Sequence, residues 1–226
     1  MAARETRFAA SKSSGQVSAV LLRPAEARWL LVLGHGAGAG MRHTFMEAVA
    51  KALASNGIAT FRYQFPYMEQ GKKFPNPQPV LVKTVRSAVI AAHEMARDLP
   101  LLAGGKSLGG RMTSTAASQE PLPDVRGIVF FGFPLHPTTK PSDVRAAHLF
   151  DVSVPMLFLQ GTRDKLADLN LLRPVFDRLA ERATLHIIEG ADHGFHVLKR
   201  SGRTDDDLVA ELARMISGWS AQCCSK

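Results

Sequence analysis

The chain has 226 residues, 46% of them apolar, enough for a sizeable core in one globular domain spanning 1–226. No stretch approaches the ~20 consecutive apolar residues of a membrane helix, and the charged start Met1-Ala-Ala-Arg-Glu-Thr-Arg-Phe8 lacks the apolar run of a secretory leader. The formal net charge of +8 comes from basic residues scattered along the chain rather than massed in a tract, so a solvated basic surface is expected and a nucleic-acid partner is not.

In chain order, Val17–Arg23 reads as a strand that pairs with an earlier one near Arg7–Ala10 across the polar turn Ser11–Gly15. Trp29-Leu-Leu-Val-Leu33 is a continuous apolar run closed by Gly34, the pattern of a strand buried on both faces. Phe45, Val49, Ala52 and Leu53 recur at helical spacing, and Asn56-Gly57 stops that helix. Ile58–Tyr63 is the next strand. Gln64–Pro79, rich in proline, glycine and lysine, reads as a long loop. A helix over Val80–Arg97, a strand over Leu99–Ala103 and a helix over Ser107–Ser118 follow. Gly127–Phe131 and Pro155–Leu159 are two more buried strands. Asp168–Arg182 is helical, Thr184–Glu189 a strand and Asp205–Trp219 a closing helix. Strands alternating with helices predict an α/β fold, a doubly wound and mostly parallel sheet with helices on both faces. No insertion is large enough for a separate cap domain. The only cysteines, Cys223 and Cys224, are neighbours in a polar tail beginning near residue 220. They cannot staple distant parts of the chain, so a reducing, cytoplasmic setting is expected.

In such a sheet, functional loops gather beyond the carboxyl ends of the strands. After Leu99–Ala103 comes Gly105-Lys-Ser-Leu-Gly109, a G-x-S-x-G nucleophile elbow in which a serine stands on a tight strand-to-helix turn. The positions two before and two after Ser107 must be small, and both are glycine. The phosphate-binding motif G-x-x-x-x-G-K-[ST] is excluded, because Pro100 stands where its first glycine belongs. After Pro155–Leu159 comes Gln160-Gly-Thr-Arg-Asp164, and after Thr184–Glu189 comes Gly190-Ala-Asp-His193. Serine, acid and histidine in that order, each past its own strand, predict Ser107 as nucleophile, His193 as general base and Asp164 as the acid that orients the imidazole. Asp164 also has a reading as a turn or capping residue. Asp168 is the alternative acid, less available as the N-cap of the next helix.

The oxyanion donors expected are the backbone N–H groups of Leu108, directly after the nucleophile, and Ala37, in the glycine-rich loop Gly34-His-Gly-Ala-Gly-Ala-Gly40. Those glycines lack the G-x-G-x-x-G frame of a dinucleotide loop, so no cofactor is expected. His35 is expected to order its own loop and, with Gly36, to border the substrate. Tyr67 and Met68 are placed as walls of the acyl pocket with Phe133 opposite, the alternative being that Phe65, Tyr67 and Met68 fill core beneath a loop. Lys106 is expected at the pocket rim or facing the helix. His43, His93, His148 and His186 show no ligand spacing. His196, three residues after His193, has neither an H-E-x-x-H helix nor a cysteine partner, and no metal is expected.

Gly34-His-Gly-Ala-Gly38, Arg62-Tyr-Gln-Phe-Pro-Tyr-Met68, Gly104-Gly-Lys-Ser-Leu-Gly-Gly-Arg111, Gln160–Asp164 and Asp192-His-Gly-Phe195 together span nearly the whole length. Through them the chain resembles the small capless α/β-hydrolases of the dienelactone-hydrolase-like group, in particular bacterial hydrolases grouped with the hydrolase-like domain of the NSL-complex subunit and the testis-expressed hydrolase-like proteins. The resemblance implies a serine-hydrolase fold and a site at Ser107, Asp164 and His193. Dienelactone hydrolases proper carry a cysteine nucleophile, so their lactone substrate is not carried over to Ser107. The expected activity is hydrolysis of a small carboxylic ester or related acyl substrate through an acyl-serine, with a shallow capless pocket favouring short acyl groups. The competing reading is a non-catalytic interaction domain on the same scaffold, favoured only by the basic surface.

Overall fold

The computed structural model describes residues 3–223. Eight strands form one sheet in the order β1-β2-β4-β3-β5-β6-β7-β8. They are β1 (Ala3–Ser11), β2 (Gly15–Leu22), β3 (Trp29–Gly34), β4 (Ile58–Tyr63), β5 (Leu101–Lys106), β6 (Val125–Phe131), β7 (Met156–Gly161) and β8 (Ala183–Ile188). β1 and β2 pair antiparallel, as does β2 with β4, and every pairing from β4 across to β8 is parallel. The doubly wound sheet read from the alternation of elements is the one observed.

The central strands are apolar on both faces because helices cover both. On β3, β5, β6 and β7, Leu30, Val32, Leu101, Ala103, Ile128, Phe130, Met156 and Phe158 point to one side. There they pack against α3 (Gln78–Met95), α4 (Leu108–Gln119) and α5 (Leu169–Leu179). The alternate residues Leu31, Leu33, Leu102, Val129, Phe131, Leu157 and Leu159 pack on the other side against α1 (Thr44–Ala54) and α6 (Asp205–Cys223). The period of two along each strand thus divides one apolar run between two cores.

Beside shifts of a few residues at element ends, such as β5 at Leu101–Lys106 against the expected Leu99–Ala103, three details differ from the expected elements. The segment read as a loop over Gln64–Pro79 contains a short helix, α2 (Pro66–Glu69), which Pro66 opens from its first turn, and α3 begins at Gln78. A 3-10 segment over Val144–Asp151, not read from the sequence, packs against α4 through Leu149 and Ala146. The polar tail expected from about residue 220 is helical as far as Cys223, because Trp219 and Ser220 are buried and carry α6 onward. Cys224 and the Cys223 side chain, like Met1 and Ala2 of the charged N-terminal stretch, lie outside the described residues.

Two features position the carboxyl end of the sheet. The first is the turn from β5 into α4. Ser107 has φ 50° and ψ −110°, an unfavourable conformation for a residue with a side chain. A Cβ on Gly105 would fall 2.4 Å from the Gly34 carbonyl oxygen, and one on Gly109 would fall 2.2 Å from it. Backbone therefore meets backbone between β3 and the start of α4, and glycine is required at both positions.

The second is the glycine-rich loop after β3, which is held by the Arg62–Met68 segment. His35 is fully buried; its Nε2 accepts the Phe65 amide at 3.1 Å, so its Nδ1 carries the proton and donates to the Gly36 carbonyl at 2.7 Å. The Tyr67 hydroxyl accepts the Gly38 amide at 3.0 Å, Gln64 Oε1 accepts the Met41 amide at 2.8 Å, and the buried Arg62 donates to the Met41 carbonyl at 3.1 Å.

Gly109→Ala is expected to lower stability by about 3 kcal/mol or more, since the new methyl meets backbone that cannot yield; urea unfolding of the variant measures it. Burial pushes the His35 imidazole down to about 4, with its bond to Gly36 opposing. The unfolded chain binds this proton near pH 6.5 and the folded chain near 4, so stability contributed by neutral His35 is lost as pH falls through that window, by about 3 kcal/mol in all. Urea midpoints between pH 7 and 4 should show the loss, and His35→Gln, less stable at pH 7, should lose less of its stability over the same range.

Candidate active site

Ser107, Asp164 and His193 come from three different segments at one end of the sheet: the end of β5, the turn after β7 and the loop after β8. The His193 Nε2 lies 2.9 Å from the Ser107 hydroxyl, and its Nδ1 lies 2.7 Å from Asp164 Oδ2. The Asp164 side chain is fully enclosed, whereas that of His193 is 25% exposed. Asp164 Oδ2 also accepts from Gln160 Nε2 at 2.6 Å, and Oδ1 accepts the Leu166 amide at 2.8 Å. Burial works to raise this carboxyl, but the bonds from His193, Leu166 and Gln160 outweigh it and hold it below the usual carboxylate range. An ionised Asp164 requires hydrogen on Nδ1 of His193, which leaves Nε2 as the acceptor facing the serine.

Asp168 caps α5, its side chain accepting the Asn170 amide at 2.8 Å, and takes no part in this chain of bonds. Gln160, which opens the Gln160–Asp164 motif, is a further residue that the spacing alone does not single out. It is wholly buried at the end of β7, and its Oε1 accepts the Phe133 amide at 3.0 Å while its Nε2 holds Asp164. A glutamine directly after the apolar run Pro155–Leu159 and four residues before Asp164 is the signal the sequence carries.

Ser107 and His193 open into a cleft of about 300 Å³, lined by Gly36, Ala37 and Ala39 of the glycine-rich loop, His43, Phe45 and Met46 at the start of α1, Lys106, Leu166, Gly194 and His196. Leu108 is the first residue of α4, where the opening amides have no acceptor within the helix. Ala37 lies across the cleft on a loop whose amides at Gly38 and Ala39 are already used, by Tyr67 and by the Gly36 carbonyl. A larger hollow of about 640 Å³ lies beyond Asp164, among residues 136–141 and 162–173, and reaches neither Ser107 nor His193.

The expected walls are corrected in part. Gly36 borders the cleft, but His35 does not, because both ring nitrogens are spent inside the loop. Tyr67 is fully buried, and its hydroxyl supports Gly38 rather than facing the cleft. Met68 is half-buried and packs on the core beside Gly40. Phe133 is 1% exposed and sits edge-on to Phe130 and Phe158 in the core. Apolar residues that follow a strand in sequence turn into the core here rather than toward the cleft. The start of α1 lines the cleft instead, through Phe45, whose spacing marks the helix alone, and Met46. His43 caps α1, its Nδ1 accepting the Phe45 amide at 3.3 Å, and His196 pairs with Asp205 at 2.6 Å. Among the described residues, no group of three or more His, Cys, Asp or Glu is placed to hold a metal ion, and no helix is long and apolar enough to cross a membrane.

The chain is similar over almost its full length to several solved structures. A dienelactone hydrolase from Anabaena variabilis is 20% identical, with 97% of this chain and 98% of that one covered and a TM-score of 0.72. An α/β serine hydrolase without a lid from Xanthomonas campestris is 17% identical, covering 96% and 94%, at a TM-score of 0.75. The esterase domain of a Rhodothermus marinus protein is 16% identical, covering 98% and 99%, at 0.73. At these identities the likeness is one of fold. The family described as the alpha/beta hydrolase domain matches residues 27–221, and this chain belongs to that family, as a hydrolase fold without a separate cap.

Proposed function

We propose that this protein is a serine hydrolase that cleaves a small carboxylic ester, or a related acyl substrate, through an acyl-serine intermediate within a single domain. The observation that carries the reading is the unbroken chain Asp164–His193–Ser107, with contacts of 2.7 and 2.9 Å, ending at the mouth of an apolar cleft. An interaction scaffold would have no use for this alignment.

The steps follow from the geometry. His193 Nε2 takes the Ser107 proton as Oγ attacks the substrate carbonyl carbon. Asp164, held ionised by its three donors, stabilises the imidazolium and keeps the proton on Nδ1. The negative oxygen of the tetrahedral intermediate is received by the Leu108 and Ala37 amides, and the N-terminal end of α4 favours that charge. His193 then protonates the departing alkoxide. Water, activated by the same imidazole, attacks the acyl-serine, and the carboxylic acid leaves. The wall is short and uncapped, formed by Ala37, Ala39, Phe45, Met46 and Leu166 around about 300 Å³, which suits short acyl chains.

Labelling with a fluorophosphonate probe tests the nucleophile: wild type should react, and Ser107→Ala should not. Ester turnover in Ser107→Ala or His193→Ala should fall by about 10³-fold or more with the fold retained. Turnover by His193→Ala at the wild-type rate would sink the assignment. In a p-nitrophenyl ester series, kcat/KM should peak at acyl chains of about two to four carbons, the length a cleft of this size can take; a maximum at long chains would show that the wall has been misjudged.

A further inference from the structure

Lys106 has no part in the steps above, although it immediately precedes Ser107. It is the last residue of β5, and its stem runs beside Gly36, with Cγ 3.5 Å from the position a Cβ would take there. Its ammonium donates to the backbone carbonyl of His193. It also lies 5.2 Å from the ring centre of Phe195 and 5.9 Å from that of Phe45. Those rings stack on each other at 5.4 Å, with 11° between their planes. One side chain therefore touches the elbow, the glycine-rich loop, α1 and the His193 loop.

The His193 loop has few other ties to the elbow. Its own turn is closed internally: Asp192 accepts the amides of Gly194 and His196, and Phe195 stands at φ 65°. Apart from the Ser107–His193 hydrogen bond itself, the bond from Lys106 is the one hydrogen bond between the two segments among the described residues, and the same ammonium makes the contact with Phe195.

We propose that Lys106 is a positioning residue, a charged clamp that holds the His193 loop at the distance from Ser107 that proton transfer requires. The inference rests on the hydrolase reading for its kinetic consequences but not for the clamp itself. A charged donor makes the stronger bond to a carbonyl, and the contacts with Phe45 and Phe195 need the positive charge. Burial pushes the Lys106 ammonium down to about 8, against the opposing pull of Asp164 and Asp192. The other titratable groups on the cleft are His43, His193 and His196, while Gly36, Phe45 and Phe195 bring no charge to it. The clamp is therefore at full strength well below pH 8 and weakens as the pH rises through it.

The test follows the rate of fluorophosphonate labelling of the full chain from pH 6 to 10, with amide hydrogen exchange over residues 190–196. In wild type the maximal labelling rate should decline with a midpoint near pH 8. Lys106→Met, which keeps the stem, should lower that rate about 10- to 100-fold at pH 7, as a displaced base does. It should leave the probe's half-saturation within about twofold and remove the decline above pH 8. Lys106→Arg should restore most of the rate and move the decline beyond pH 10, because its charge persists. Exchange in the loop should quicken in Lys106→Met and return toward wild type in Lys106→Arg. A Met variant with wild-type labelling and exchange overturns the clamp, as does an unchanged midpoint in the Arg variant. If wild type itself fails to label, the nucleophile reading of Ser107 falls, and the exchange data alone uphold or overturn the clamp.

Discussion

The contact on which the rest of the site depends is the meeting of backbone with backbone at Gly34, Gly105 and Gly109. Side chains at the latter two positions would fall 2.4 and 2.2 Å from the Gly34 carbonyl oxygen. Only because they are absent can α4 start so close to β3 that Ser107 is driven into φ 50°. That backbone brings the hydroxyl within 2.9 Å of His193 Nε2 beyond the end of the sheet. The glycine-rich loop begins at the very residue the elbow touches. Elbow and loop are thus two sides of one contact, and their spacing follows from it.

A second layer of support is polar. Arg62, Gln64, Phe65 and Tyr67 all bond to the loop over Gly34–Met41, through side chains or backbone. Gln160 ties the acid to the turn after β6 through the Phe133 amide. All but the half-buried Gln64 are enclosed, where a hydrogen bond left unmade is costly, so each loop has one well-defined position. The neutral state of His35 belongs to the same economy: a charged imidazole there would have no acceptor for its second proton.

The fold was legible because both-face burial and strand-helix alternation are written in consecutive residues, as in Trp29–Leu33 and Gly127–Phe131. The chemical order Ser107, Asp164, His193 was legible because each residue follows a strand, and the parallel sheet brings those ends together. The substrate wall was not. Tyr67 and Phe133 also follow strands, but whether such a side chain turns toward the cleft or beneath a loop depends on partners distant in sequence. Tyr67 finds Gly38 and Phe133 finds Phe130 and Phe158. Phe45 faces the cleft and Phe195 for the same kind of reason, a ring stack across about 150 residues of chain that no local period records.

The elbow and the histidine are held in unlike ways. Ser107 is locked into the central strands, so it can leave its place only when β3, β5 and α4 come apart. His193 rides on a turn closed by its own backbone and by Asp192, and tied to its surroundings by hydrogen bonds with Lys106 and with the turn after β7. Such turns open at lower free energy than the sheet that carries them. On warming, the His193 imidazole should therefore wander from the Ser107 hydroxyl well before the sheet melts, and the temperature at which that contact is lost belongs to the turn rather than to the fold.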